Sequence, residues 1–256
     1  MDPDAEPHIC EALQGWQFWD DEEETPINMK TIQSLCLPLA LLAFATLPAG
    51  AQSTYNDATG DFTGGVSALD LNSVVVNNDA NNLYITLNLA GDPTAANWYN
   101  YYVGISENLF GGVGGNLNAS GGYGKNIQMS TGGMDYFIGG YPFYSGYDLL
   151  AWNGSAWTKT TGGASENTSS VSFTVSLASL GLSAGNSFKF DVWTSDTGAD
   201  GVLDAASDTT ARSWNGDPFD TGANALSYTV QAVPEPATTT FLGLGMLVMV
   251  RRLIRR

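Results

Sequence analysis

The feature that most restricts this chain is a two-residue alternation of apolar and polar side chains, repeated through its middle. Leu83, Ile85, Leu87 and Leu89 alternate with Tyr84, Thr86 and Asn88. Val171, Phe173, Val175 and Leu177 alternate with Ser172, Thr174 and Ser176, and Phe188, Phe190 and Val192 with Lys189, Asp191 and Trp193. Successive side chains of an extended chain point to opposite faces, so each run predicts a strand with one buried and one wet face. Residues 74–76, 99–105, 134–138, 147–152, 156–160 and 228–230 supply further apolar or aromatic strand segments. Turn chemistry separates them: the Asn/Asp-rich stretch 77–82 joins two runs, and Asn153-Gly154 stands between Trp152 and Trp157 as a hairpin signal. No stretch of the middle sustains a 3.6-residue apolar period. Roughly eight to ten strands in one domain over residues 52–231 predict an all-β fold, an antiparallel β-sandwich of jelly-roll or immunoglobulin-like type.

Composition narrows what such a domain can do. The chain carries a net charge of −17, with charged residues only 14% of the total. An acidic surface repels phosphate backbones, which excludes nucleic acid as a partner and leaves divalent cations and neutral glycans. Cys10, Cys36 and the single histidine, His8, all precede residue 52. The β domain therefore has no disulfide, no Cys/His zinc site and no Ser-His-Asp triad.

The ends read as targeting segments. From Met29, Lys30 forms a short positive region, residues 32–47 are mostly apolar, and Ala49-Gly50-Ala51 precedes Gln52 as an A-x-A cleavage site. Residues 29–51 are thus a secretory signal peptide with a helical apolar segment, cut by signal peptidase between Ala51 and Gln52. The acidic stretch 1–28 opposes the positive start that a signal peptide needs, and reads as a mis-assigned start or a disordered leader. At the other end, residues 232–256 hold Val233-Pro234-Glu235-Pro236, an apolar or Gly run over 241–250, and a basic close through Arg251, Arg252, Arg255 and Arg256. Two prolines keep the motif extended, the apolar run partitions into the bilayer as a helix, and the arginines stay cytoplasmic. A helix over 237–250 spans about 21 Å, short of the roughly 30 Å hydrocarbon core, so the tail holds the protein at the membrane temporarily.

This tail closely resembles the PEP-CTERM sorting signal. The resemblance implies recognition by an exosortase, removal of the tail near the Pro-Glu-Pro motif, and passage through the inner membrane to the cell surface or extracellular matrix. A second resemblance covers most of residues 52–231. The opening Tyr55-Asn56-Asp57-Ala58-Thr59-Gly60-Asp61, then Leu69-Asp70-Leu71, Val74-Val75-Val76-Asn77-Asn78-Asp79 and Asn82-Leu83-Tyr84-Ile85, looks like the start of carbohydrate-binding sandwiches related to family 9 modules and DOMON domains. The stretches 98–105 and 190–195 fit the same picture. That likeness implies binding, with polysaccharide as partner, rather than catalysis.

Three constellations bear on chemistry. Asp196, Asp200, Asp204 and Asp208 follow a strand, with Gly198 and Gly201 permitting tight turns. Calcium takes oxygen ligands from such loops, although the spacing is not that of an EF-hand, and Asx-turns in a solvated loop are the plainer alternative. Asp57 and Asp61 form a second, weaker acidic pair at the domain entrance. Aromatic residues crowd the middle, and flat rings can stack on sugars, though most aromatics in strands fill cores. Trp98 and Trp193 are the carbohydrate-binding candidates, Trp193 because it lies opposite Phe190 and Val192 and should be exposed if they are buried. A glycosidase needs two carboxylates facing across a cleft. Glu107, Asp135, Asp148 and Glu166 can be nominated, but linear sequence pairs none of them, so the chain reads as non-catalytic.

Overall fold

The computed structural model of the chain describes residues 52–107, 125–141, 146–198, 201–214 and 218–233. The signal segment, the Gly-rich run after Glu107 and the tail from Pro234 lie outside them. The strands are β1 (Ser53–Asn56), β2 (Leu71–Asn78), β3 (Asn82–Leu89), β4 (Tyr99–Ser106), β5 (Ile127–Gln128), β6 (Tyr136–Tyr141), β7 (Gly146–Trp152), β8 (Trp157–Asn167), β9 (Ser170–Ser176), β10 (Ser187–Asp196), β11 (Asp204–Ala205), β12 (Phe219–Asp220) and β13 (Leu226–Thr229). The only helical segments among the described residues are single 3₁₀ turns, and no helix there is long and apolar enough to cross a membrane. The fold is all-β, as the alternation requires.

Among the described residues, eleven strands form one antiparallel sheet in the order β1-β2-β3-β9-β8-β7-β6-β4-β10-β11, with β13 also on β10. A two-residue parallel pair, β5 and β12, stands beside it. The sheet folds over at β8. The first part of this strand, through Gly163, pairs with β7, and Ala164 to Asn167 pair with β9. Gly162 sits next to the change of partner, and a Cβ there would overlap the Tyr147 ring. Glycine at that position lets the Tyr147 side chain cross β8 and place its hydroxyl on the Thr174 carbonyl of β9, at 2.7 Å.

Folding over gives the two parts a common interior. Val74, Val76, Leu83, Ile85, Leu87, Val171, Phe173 and Val175 from one side pack with Tyr101, Val103, Ile105, Ile138, Phe188, Phe190 and Val192 from the other. Each large side chain buried there contributes roughly 1.5–3 kcal/mol of transfer free energy. A second, smaller core covers the outer face of the β10 side: Tyr102, Met134, Phe137, Leu150 and Trp193 with Ile127, Ala205 and Phe219 from the short strands β5, β11 and β12 and Met129 and Val202 beside them. Strand β4, and β10 from Phe190 to Ser195, are therefore buried on both faces.

The two ends of the sheet return to each other, leaving the sheet nearly closed. The Tyr55 hydroxyl of β1 donates to the Ser227 carbonyl of β13 at 2.5 Å. Thr194 of β10 donates to the Leu69 carbonyl at 2.6 Å. The Leu71 N–H donates to Asp204 of β11, also at 2.6 Å. A bulge between Leu71 and Ser73 interrupts the β2–β3 register at this point and re-aims the backbone. Near the other end of the seam, buried Asn78 clamps the exit of the chain: Gln231 donates its N–H to Asn78 Oδ1 at 2.8 Å, and Asn78 Nδ2 donates to the Gln231 carbonyl at 3.0 Å.

Candidate metal centre

Asp57 leaves the end of β1 with its N–H on the Asn72 carbonyl, 2.9 Å away. The following Ala-Thr-Gly turn closes where Gly60, at a φ of 87°, donates its N–H to both carboxylate oxygens of Asp70 (3.0 and 2.9 Å). A side chain at that φ would be strained, so glycine fits the turn. The chain then brings in Asp61, whose carbonyl accepts the Arg212 N–H at 2.7 Å. From the other edge of the seam, Asp204 pairs with Thr194 across the β10–β11 ladder. One carboxylate oxygen from each of Asp57, Asp61 and Asp204 lies within 4.8 Å of the other two.

The three carboxylates differ in how they are satisfied. Asp204 is 2% exposed and accepts two backbone bonds, from Leu71 at 2.6 Å and Ala205 at 2.7 Å. Asp57 accepts one, from Ala58 at 3.0 Å, and its second oxygen is buried without a partner. Asp61 is 8% exposed and neither of its oxygens makes a hydrogen bond. The nearby N–H groups of Asp61 and Phe62 favour its charge, but burial and the Asp70 carboxylate outweigh them and raise its pKa. Burial, with Asp61, Asp191 and Asp70 nearby, pushes Asp57 up to about 7 despite the Ala58 bond. Burial, with Asp57 and Asp61 beside it, pushes Asp204 up to about 8 against the bonds from Leu71 and Ala205. Arg212 approaches this region, but its guanidinium binds Asp208 at 2.8 Å and lies over the Phe219 ring.

A cluster of this kind has two ways to relieve its charge: take up protons or take up a cation. Two oxygens bound to one calcium are at most about 5 Å apart, twice the ordinary Ca–O distance, and these fit. An all-oxygen, all-carboxylate donor set suits a hard ion, not zinc or copper.

Of the predicted Asp series, Asp200 lies outside the described residues, and Asp196 and Asp208 do not join Asp204 in its carboxylate cluster. Asp196 Oδ1 accepts the Gly198 N–H at 2.7 Å in an Asx-turn. Asp208 accepts from Thr210 and Arg212. Asp204 alone joins a carboxylate cluster, and its companions are the entrance pair Asp57 and Asp61. The spacing Asp57-x-x-x-Asp61 was visible in the sequence; the third member comes from the far end of the domain, which only the closing of the sheet reveals.

Trp193 requires a correction. It does lie opposite Phe190 and Val192, as alternation demands, but it is fully buried, because the second core covers that face. Its Nε1 donates to Asp191 at 3.0 Å, and Gly104 lacks the Cβ that would overlap its ring. Asp191, wholly enclosed, also accepts from Val192, Ser207 and Thr221; burial raises it to about 6 against those bonds. Trp193 and Asp191 thus belong to the interior. Trp98 is half-buried at the start of β4, its ring 5.8 Å from that of Trp214, which is 40% exposed.

Among the nominated carboxylates, Glu107 and Asp135 adjoin each other, whereas Asp148 and Glu166 interact elsewhere. Asp148 pairs with Lys159 at 2.8 Å. The Glu107 N–H donates to Asp135 at 2.6 Å, and burial followed by the Asp135 charge brings Glu107 to about 7. Glu166 is raised by burial, with Asp92 adding to it. Of the processing sites, Gln52 and Val233 are described, at the two ends of the domain; Ala49, Ala51, Pro234, Glu235 and Pro236 lie outside the described residues. A recess of about 380 Å³ adjoins Val233, lined by Asp79, Asn81, Ser176, Leu182, Ser183 and Val230 among others. No family model matches the chain, and no curated protein matches it in sequence.

Proposed function

We propose that this chain is an exported protein, processed by signal peptidase and exosortase and delivered to the cell surface or extracellular matrix, whose β domain is a non-catalytic, calcium-held module of carbohydrate-binding type. The observation that carries the ion is Asp61: a carboxylate more than nine-tenths buried, without a hydrogen bond on either oxygen, set against the carboxylates of Asp57 and Asp204. An unpaired buried charge is costly unless an ion or a proton neutralises it. Calcium binds flexible oxygen sites with several carboxylates, and an exported domain that lacks disulfides gains most from such a clip. The centre lies where the two edges of the sheet meet, so an ion there fastens β1 and β2 to β11.

The remaining parts of the reading rest on sequence. The jelly-roll or immunoglobulin-like class is the finer form of the folded-over all-β sheet and follows the family 9 and DOMON likeness. Sorting follows the likeness of residues 233–256 to the PEP-CTERM signal. The non-catalytic reading rests on the absence of histidine and cysteine from residues 52–231 and on a linear sequence that pairs no two carboxylates across a cleft. A structural or adhesive matrix domain without a ligand pocket is the second reading, favoured by the lining of the 380 Å³ recess, which includes no aromatic ring to stack on a sugar.

Thermal melting of the full chain with calcium and with chelator tests the ion. Calcium at a hundredfold excess over Kd stabilises by about 2.7 kcal/mol, which raises Tm by about 5–10 °C for a domain of this size. Asp61→Asn abolishes most of that rise. Identical melting in calcium and in chelator overturns the proposal.

A further inference from the structure

We infer that Trp214, edge-on against Phe62, and Trp98 beside it form a stacking platform for the apolar face of a neutral pyranose ring, held in position by the Asp57–Asp61–Asp204 centre. The inference rests on the proposed binding role and names its contact surface. Trp214 is the only large hydrophobic side chain exposed among the described residues, at 40%. It is nevertheless pinned. Its Nε1 donates to the Gly64 carbonyl at 2.7 Å, and its ring meets Phe62 edge-on with centroids 5.1 Å apart. A Cβ on Gly64 would overlap both rings, so this position admits the aromatic pair only as glycine. Trp98 extends the surface at 5.8 Å and an interplanar angle of 46°, and is itself backed edge-on by Tyr99 at 4.4 Å.

An exposed aromatic ring fixed on its inner side by a hydrogen bond and an edge contact loses little freedom on binding, which is what a weak stacking site needs. Size and charge select the occupant. A stable protein partner buries about 800 Å² on each side, whereas Trp214, 40% exposed, offers roughly 60–100 Å². That area fits the face of a single sugar ring, not a second copy of the chain. Of the cations on the adjoining segments, Arg212 is bound to Asp208 and Lys125 donates to the Asp196 carbonyl at 2.6 Å, and the chain as a whole carries −17, which disfavours an anionic ligand. Two uncharged polar side chains on the same segments, Thr63 and Asn97, are exposed. Phe62 follows the metal-centre residue Asp61, and Asp61 and Thr63 both bond the backbone of Arg212 (2.7 and 2.8 Å), two residues before Trp214. An ion on Asp61 therefore secures the two segments that carry the platform.

The test is affinity electrophoresis of the detergent-solubilised full chain through native gels containing hydroxyethyl cellulose, galactomannan or xylan, with calcium present. At least one polymer retards the parent chain. Trp214→Ala weakens that retardation about tenfold, Trp214→Phe restores most of it, and Gly64→Ala weakens it while keeping both rings. Far-ultraviolet circular dichroism accompanies each variant; if Trp214→Ala fails to fold, Trp98→Ala and Gly64→Ala decide. Retardation of the parent that survives every platform substitution overturns the platform and leaves glycan binding elsewhere on the domain. No retardation by any of the three polymers, with melting still raised by calcium, overturns the platform and leaves the metal centre standing. Retardation unchanged by chelator removes the link between the two.

Discussion

At the scale of single residues, the carboxylates of the seam set how the protein responds to acidity. Asp57 at about 7 and Asp204 at about 8 both lie above the ordinary aspartate value because burial disfavours their charge. A carboxyl raised on folding stabilises the fold while it is protonated, fully so below its unfolded pKa. That stabilisation drains away as pH rises through the folded value. Without a cation, these two groups therefore lower stability progressively from about pH 4 to pH 8. A bound calcium ion replaces the protons as counter-charge and binds better as they leave. The increment in Tm given by calcium grows from pH 5 to pH 8, by several degrees. Calorimetric melts in calcium and in chelator at the two pH values measure it. An increment equal or smaller at pH 8 refutes the assignment of these groups to the site.

Trp193 shows the limit of residue-level reading. Its parity along β10 was legible and correct, since it does point away from Phe190 and Val192. Parity gives the face but not what covers the face. Residues from β5, β6 and β7 and from the 202–205 segment supply that cover, and no local pattern near Trp193 announces them.

At the scale of elements, β8 is the piece the fold depends on. Its sequence, Thr-, Gly- and Ser-rich after Trp157, has weak alternation, and only residues 156–160 carried a strand signal. The strand runs to Asn167 because tertiary pairing on two sides holds it: β7 for its first part and β9 for its last. Two adjacent glycines there play different parts. A Cβ at Gly162 would overlap the Tyr147 ring, while at Gly163 it would meet open space. Gly162→Ala destabilises by about 1–3 kcal/mol through overpacking, whereas Gly163→Ala stays within about 0.5 kcal/mol of the parent or gains slightly. Urea unfolding of the two variants compares them directly. Equal costs at both positions contradict the described path of Tyr147 across β8.

At the scale of the whole molecule, the domain lies between Gln52 and Val233, the points where the two processing steps act on the reading offered here. Asn78 holds the backbone of Gln231, so the fold ends shortly before the Pro-Glu-Pro motif and removal of the tail leaves every described strand intact. Exported material from the native host is expected to begin at Gln52 and to lack Arg256, as read by intact-mass and terminal-peptide mass spectrometry. Surface-fraction protein that retains Arg256, whether or not exosortase is present, rules out the sorting assignment.

What the chain determined by itself is whatever rests on local order. Period-two alternation placed β3, β9 and β10, the Asn153-Gly154 turn placed the β7–β8 hairpin, and the Asn/Asp-rich turn placed β2 against β3. The missing histidine and cysteines removed whole classes of chemistry from the domain. The tertiary structure decided the rest, because it depends on segments distant in sequence meeting in space. It made β4, and β10 from Phe190 to Ser195, interior on both faces, buried Trp193, and placed Asp196, Asp208 and Asp204 in an Asx-turn, an ion pair and a cluster respectively. Closing the sheet on itself brought Asp204 to Asp57 and Asp61, and set Trp214 beside Trp98 and against Phe62. An aspartate in a Gly-rich loop and an aspartate in a buried cluster look alike in sequence; desolvation and neighbouring charge, which separate them, exist only once the chain has folded.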